Sequence, residues 1–212
     1  MSLTIEDFGG RLASVWSGLR PATRGLVEQA LLATNPGVPN SSRTNLNSSS
    51  QPYDSRADRE LSLLLSALDE RVTEPGLSRQ TDQGRQLRQI ADTCAAVLQE
   101  KTQSAEVFTQ LVRRADAQRD YARIDALADA LSRFSPTEIC ELARAEDAVV
   151  KALANESLAQ FPTSVLIGLL SDPIDSDIAR DALRRQALDY GSEEARQIVN
   201  ALDQMNLNQE EV

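Results

Sequence analysis

From Ser55 to near the end of this 212-residue chain, apolar residues recur at three- and four-residue spacing, and no stretch alternates as a strand would. That period places the apolar side chains on one face of successive helices and predicts an all-α fold. Leu61, Leu64, Leu65, Leu68 and Val72 make one stripe, stopped by Pro75-Gly76. Leu87, Ile90, Ala91, Cys94, Val97 and Leu98 make the next. Val107, Phe108, Leu111, Val112 and Ala115 follow, then Ile124, Leu127, Ala128, Leu131 and Phe134. Ser135-Pro136-Thr137-Glu138 is a strong helix start, with serine to cap, proline in the first turn and glutamate to complete a capping box. Thr163, Asp175 and Ser192 are weaker starts of the same kind. Aromatic residues are only 4% of the chain, so the core must be built from Leu, Ala, Val and Ile, which suits close helix packing better than a β-sandwich.

Before Ser55 the pattern is different. Ile5, Phe8, Leu12, Val15, Trp16 and Leu19 describe an amphipathic helix weakened by Gly9 and Gly10. Pro21 then opens a second, with Leu26, Val27, Ala30 and Leu31 on its apolar face. Residues 34–54 hold three prolines among many Ser and Asn, a composition that buries too little surface to offset its ordering entropy. The expected organisation is therefore an N-terminal helix pair (1–33), a flexible linker (34–54), a helical body (55–206) and a tail (207–212). The pair is too small to fold alone and is expected to dock on the body or on a partner.

A repeat runs through the C-terminal half. Phe134, Phe161 and Tyr190, spaced 27 and 29 residues apart, each end an apolar helix before a turn that starts another. Leu131, Leu158 and Ala187 precede the aromatic by three positions; Ile139, Leu166 and Ala195 follow it by five, and Leu142, Leu169 and Ile198 by eight. On these residues the segment from about 105 to 205 resembles HEAT-type α-helical repeat proteins, with a period shorter than their usual length of about 40 residues. The resemblance implies helical hairpins stacked as a short α-solenoid; an irregular helical bundle is the alternative. It carries over no binding residues.

Charge and composition narrow the function. The formal net charge is −10, and residues 135–212 hold 15 acidic against 6 basic side chains. A sequence-independent nucleic-acid binder needs a cationic face, which this half does not readily supply. Twenty of the 22 basic residues are Arg, consistent with a GC-rich, bacterial genome. The two cysteines, Cys94 and Cys140, lie in separate stripes and form no CxxC, so reduced thiols and a cytoplasmic home are expected. No apolar run reaches the ~20 residues that span a bilayer.

The chain has no histidine. That removes Ser-His-Asp and Cys-His catalysis, histidine bases and every His-containing metal site. No phosphate-binding glycine loop and no GxSxG elbow occurs either. Asp172, Asp175 and Asp177 fall between two helices but lack the EF-hand glycine and twelfth-position acid, so Asp175 is read as a helix cap and Asp177 as a first-turn acid. Glu138 and Glu141 share a helix face where acids are favoured by the dipole. Neither set is assigned a metal or a catalytic role, and no cofactor is expected. The densest basic stretch, Arg113, Arg114, Arg119 and Arg123 with Tyr121, is interleaved with Asp116, Asp120 and Asp125 and is the candidate interaction site. The expected function is a non-enzymatic protein–protein interaction or scaffold module, with an unidentified protein partner and self-association open. A nucleic-acid-associated repeat protein and a carboxylate-based helical enzyme are the alternatives; nucleic acid is disfavoured and no membrane partner is expected.

Overall fold

A computed structural model describes residues 9–34, 54–74 and 81–210, without the side chains of 32–34 and 205–210. Among these residues the protein is wholly helical, with eleven α-helices, one short 3-10 turn and no strand. The chain divides into two compact units, Met1–Leu111 and Val112–Val212. The division falls inside a helix, at Leu111/Val112, and not at the Ser/Asn/Pro-rich stretch, of which 35–53 lies outside the described residues.

In the first unit, α1 (Gly10–Gly18) and α2 (Pro21–Thr34) precede the long pair α3 (Ser55–Thr73) and α4 (Asp82–Lys101). Helices α3 and α4 pack together, α1 lies on α3, and α2 on both α3 and α4. The first two stripes of the sequence are this core: Leu61, Leu64, Leu65 and Leu68 of α3 meet Leu87, Ile90, Cys94 and Leu98 of α4 in the buried interior. The N-terminal pair adds Leu12, Trp16, Leu19 and Val27, so it docks on its own chain. Burying such side chains contributes about 1.5–3 kcal/mol each.

Helix α1 starts at Gly10. Gly9 stands before it with φ 128°, a backbone open to glycine and strained for other residues. Ile5 and Phe8 lie outside the described residues, as does the Pro75-Gly76 stop. Asp54 caps α3 by accepting from the amides of Arg56 (3.0 Å) and Ala57 (3.3 Å), and Thr81 caps α4 by accepting from Gly84 (3.1 Å).

Helix α5 (Ala105–Gln118) carries the boundary. The second unit continues with α6 (Tyr121–Ala130), a 3-10 turn (Leu131–Arg133), α7 (Pro136–Ala143), α8 (Ala148–Ala159), α9 (Thr163–Leu169), α10 (Ser176–Leu188) and α11 (Glu193–Glu210). Helix α10 is its hub, packing on α7, α8, α9 and α11. It can do so because its inward positions are small: Ala179, Ala182 and Ala187 accompany Leu183 in the buried set. Ser135 caps α7 as its sequence predicts, accepting from the Glu138 amide at 3.2 Å, and Ser192 does the same for Ala195 at 3.2 Å. Asp147 caps α8 from the amides of Val149 and Val150, at 3.0 and 3.1 Å.

The repeat positions behave in two ways. Leu131, Leu158 and Ala187 are buried, and so are Ile139, Leu166 and Ala195. The aromatic position is not equivalent: Phe134 is 4% exposed, Phe161 half-buried and Tyr190 51% exposed. All three still stand where one helix ends and a turn begins.

Candidate functional site

The arginine stretch sits at the end of α5 and the start of α6. Arg119 and Asp120 close α5 by a paired arrangement: the Arg119 amide donates to Asp116 O and the Asp120 amide to Ala115 O, both at 2.9 Å. This 6→1 and 5→2 pattern is a Schellman turn, and it needs a left-handed residue at Arg119, which has φ 56°. Asp120 then caps α6 through the Arg123 amide at 3.1 Å.

The turn separates the five expected site residues instead of gathering them. Arg113 pairs with Asp147 on α8 at 3.3 Å. Arg114 points inward and is 9% exposed. Arg123 keeps Asp120 at 3.7 Å. Arg119 and Tyr121 remain on the surface, Tyr121 at 65% exposure. Acids pair with the guanidinium groups of Arg113 and Arg123, and Arg114 is turned away from the surface, so the stretch does not present its four arginines on one face.

The aspartate loop is also reassigned. Asp175 occupies the N-cap position of α10, yet its side chain makes no capping bond. It is 2% exposed and pairs with Arg144, at the end of α7. The expected capping role gives way because a buried carboxylate needs a charged partner more than a helix end needs a side-chain acceptor. Asp172 takes a local task, accepting from the Ile174 amide at 2.8 Å. Among the described residues, no group of three or more His, Cys, Asp or Glu converges as metal ligands would. Cys140 lies beside this pair; burial, reinforced by the charge of Asp175, pushes its thiol up to about 11. Such a thiol is a packing group and not a nucleophile.

The second unit also has a concave surface away from this turn. An open cleft of about 540 Å³ runs between the end of α6 and α8 and reaches the α8–α9 turn. Ala128, Leu153, Phe161 and Pro162 give it apolar walls, and Asp129 and Glu156 face it from opposite helices. Glu156 is held in place. It accepts from the Tyr190 hydroxyl and from Gln160 Nε2 (3.2 Å), with Arg185 at 3.9 Å. Those two hydrogen bonds, the tyrosine's first, hold its carboxyl below the usual range, and the same bond raises the Tyr190 phenol. Spacing along one helix reveals only the Glu156–Gln160 contact; Tyr190 is 34 positions away and carries no such signal.

One buried polar residue organises the turn beneath the cleft. Gln186 of α10, 6% exposed, donates from Nε2 to the carbonyls of Ala159 (3.1 Å) and Phe161, and accepts from the Thr163 hydroxyl at 3.3 Å. It satisfies carbonyls that the end of α8 leaves without helical partners.

The first unit has its own polar tie. Glu60 accepts from the Thr23 hydroxyl, the Arg20 amide (3.3 Å) and Arg20 Nε (2.8 Å), while Arg20 also reaches Asp54 at 2.9 Å. Burial alone would raise the Glu60 carboxyl, but the bonds from Thr23 and Arg20 outweigh it and lower it overall. Asp54 is lowered mainly by Arg20.

Compared with models of known families, with characterised proteins and with solved structures, the chain matches none. No helix among the described residues is long and apolar enough to cross a membrane.

Proposed function

We propose that the protein is a non-enzymatic interaction module and that its second unit receives another protein. One observation carries this reading. Of the large apolar side chains left exposed among the described residues, Tyr121, Ile167, Ile174, Leu188 and Tyr190 belong to the second unit and Leu63 alone to the first. Leu188 is 83% and Ile174 69% exposed, at the last residue of α10 and just before its first, though the inner face of that helix is well packed. Several apolar groups kept on the surface of one unit suit association better than solvation, and one of them, Tyr190, bonds to Glu156 in the lining of the cleft.

The absence of histidine and the packing role of Cys140 support a non-enzymatic reading. The HEAT-like reading of stacked hairpins is supported by the aliphatics buried three before and five after the aromatic. It is weakened by the unequal aromatic positions and by the set eight after it, where Leu142 is buried but Leu169 and Ile198 only half-buried. A cytoplasmic setting fits two cysteines that are free and buried. The arginine turn, with Arg113 and Arg123 paired to acids and Arg114 buried, gives nucleic acid no comparable support.

Affinity capture from lysate of the source organism, with the full chain as bait, tests the proposal. A partner retained at about 0.5 M salt, where surface attraction is screened, is the expected result. Recovery of nucleic acid alone, lost as salt rises, would contradict it.

A further inference from the structure

We infer that the cleft between α6 and α8 takes an arginine- or lysine-bearing segment of the partner protein. The inference rests on the interaction-module reading and names the chemistry of its ligand. The residues lining the cleft include two carboxylates and no lysine or arginine. Asp129 brings one carboxylate from α6; among the described residues it has no hydrogen-bond or ion-pair partner for its side chain. Glu156 brings the other from α8, oriented by Tyr190 and Gln160, with Arg185, which is not among the lining residues, paired to its Oε2 at 3.9 Å. The two therefore offer charge from opposite walls, over apolar surface supplied by Leu153 and Phe161.

A long cationic side chain matches that layout. Its methylene stem packs on apolar surface while its head stays with the carboxylates at the rim, and a guanidinium also stacks on an aromatic face. The volume, about 540 Å³, lies in the range of ligand pockets and leaves room for more than one such side chain. The surrounding field agrees: residues 112–212 hold 19 acidic and 11 basic side chains. Such a field draws cationic segments in and repels phosphate.

The test uses the full, isotope-labelled chain and an acetylated, amidated nonapeptide of alternating arginine and alanine at about 0.15 M salt. Backbone amide shifts should be confined to residues 128–132 and 153–162. Asp129→Asn should weaken the peptide about fivefold, the loss of one partly solvated charge pair, and Asp129→Asn with Glu156→Gln should weaken it by at least about tenfold. Asp129 has no partner to lose, so the single variant separates binding from folding. Glu146→Gln removes the same charge from an exposed site outside the cleft and should leave affinity unchanged. Equal weakening by Glu146→Gln would mean diffuse attraction and overturn the inference. So would the absence of shifts at the cleft at millimolar peptide. A partner captured from lysate that binds the double variant as tightly as the natural chain would remove the cleft while leaving the interaction module standing.

Discussion

Gln186 is the residue whose replacement tests the packing of the second unit most sharply. Its amide supplies two donors to the carbonyls of Ala159 and Phe161 and one acceptor to Thr163. Gln186→Leu keeps the volume and removes all three bonds. The Ala159 carbonyl is then left buried without a partner, at about 1–3 kcal/mol, while the partly buried Phe161 carbonyl and the Thr163 hydroxyl find water more cheaply. The expected loss is about 2 kcal/mol. Gln186→Glu should be worse at neutral pH, about 3 kcal/mol, because a carboxylate faces two carbonyls with no proton to give. Burial raises that introduced carboxyl in the folded state, so its folded form is favoured below the unfolded value and disfavoured as pH rises. The Glu variant should therefore recover towards pH 4 relative to the Leu variant. Urea unfolding of the full chain, followed by far-ultraviolet circular dichroism, measures both, with the midpoint lowered and the slope unchanged. A Leu variant within about 0.5 kcal/mol of the natural chain, inside the range of ordinary surface changes, would refute the reasoning.

Arg119 stands at φ 56°, where an L side chain costs about 1–2 kcal/mol and glycine nothing. After the extra unfolded-state entropy of glycine, Arg119→Gly should stabilise by about 0.5–1 kcal/mol in the same urea assay. The lowered carboxyls of Glu60 and Asp54 mean that the unfolded chain takes up protons first as pH falls, so their stabilisation is present above the unfolded value and lost on acidification. Unfolding followed through Trp16, the one tryptophan and a buried residue of the first unit, should show this acid slope, and Glu60→Gln should flatten it. Cys94 and Cys140 should resist a thiol reagent such as Ellman's at pH 8 in the folded protein and both react after denaturation; rapid native labelling would place a thiol at the surface. Leu64→Ala, at a fully buried site in α3, should destabilise by about 2–5 kcal/mol.

What the sequence made legible follows from range. The 3.6-residue period placed Leu61, Leu64, Leu65 and Leu68 on one buried face because helix geometry couples neighbours three and four apart. Ser135 was readable as a cap because its partner, Glu138, is three residues away. Contacts made across the fold left no local trace: Arg20 to Glu60 spans 40 positions, Arg144 to Asp175 spans 31, and Gln186 to Ala159 spans 27. Asp175 misled for that reason, since its local setting says cap and its tertiary partner says ion pair. The arginine turn looked like a site in one dimension because four guanidinium groups fall within eleven residues, and folding sends them in different directions. The α6–α8 cleft had no sequence signal at all, because Asp129 and Glu156 face it from different helices.

That the second unit is the one receiving a partner is tested most directly by backbone hydrogen exchange, read by mass spectrometry on the full chain with and without its captured protein partner. Exchange should slow over α8 and the α8–α9 turn (148–162) and over the α10–α11 turn (188–193), with α3 and α4 unchanged. Slowing confined to α3 and α4, or none anywhere at saturating partner, would contradict it.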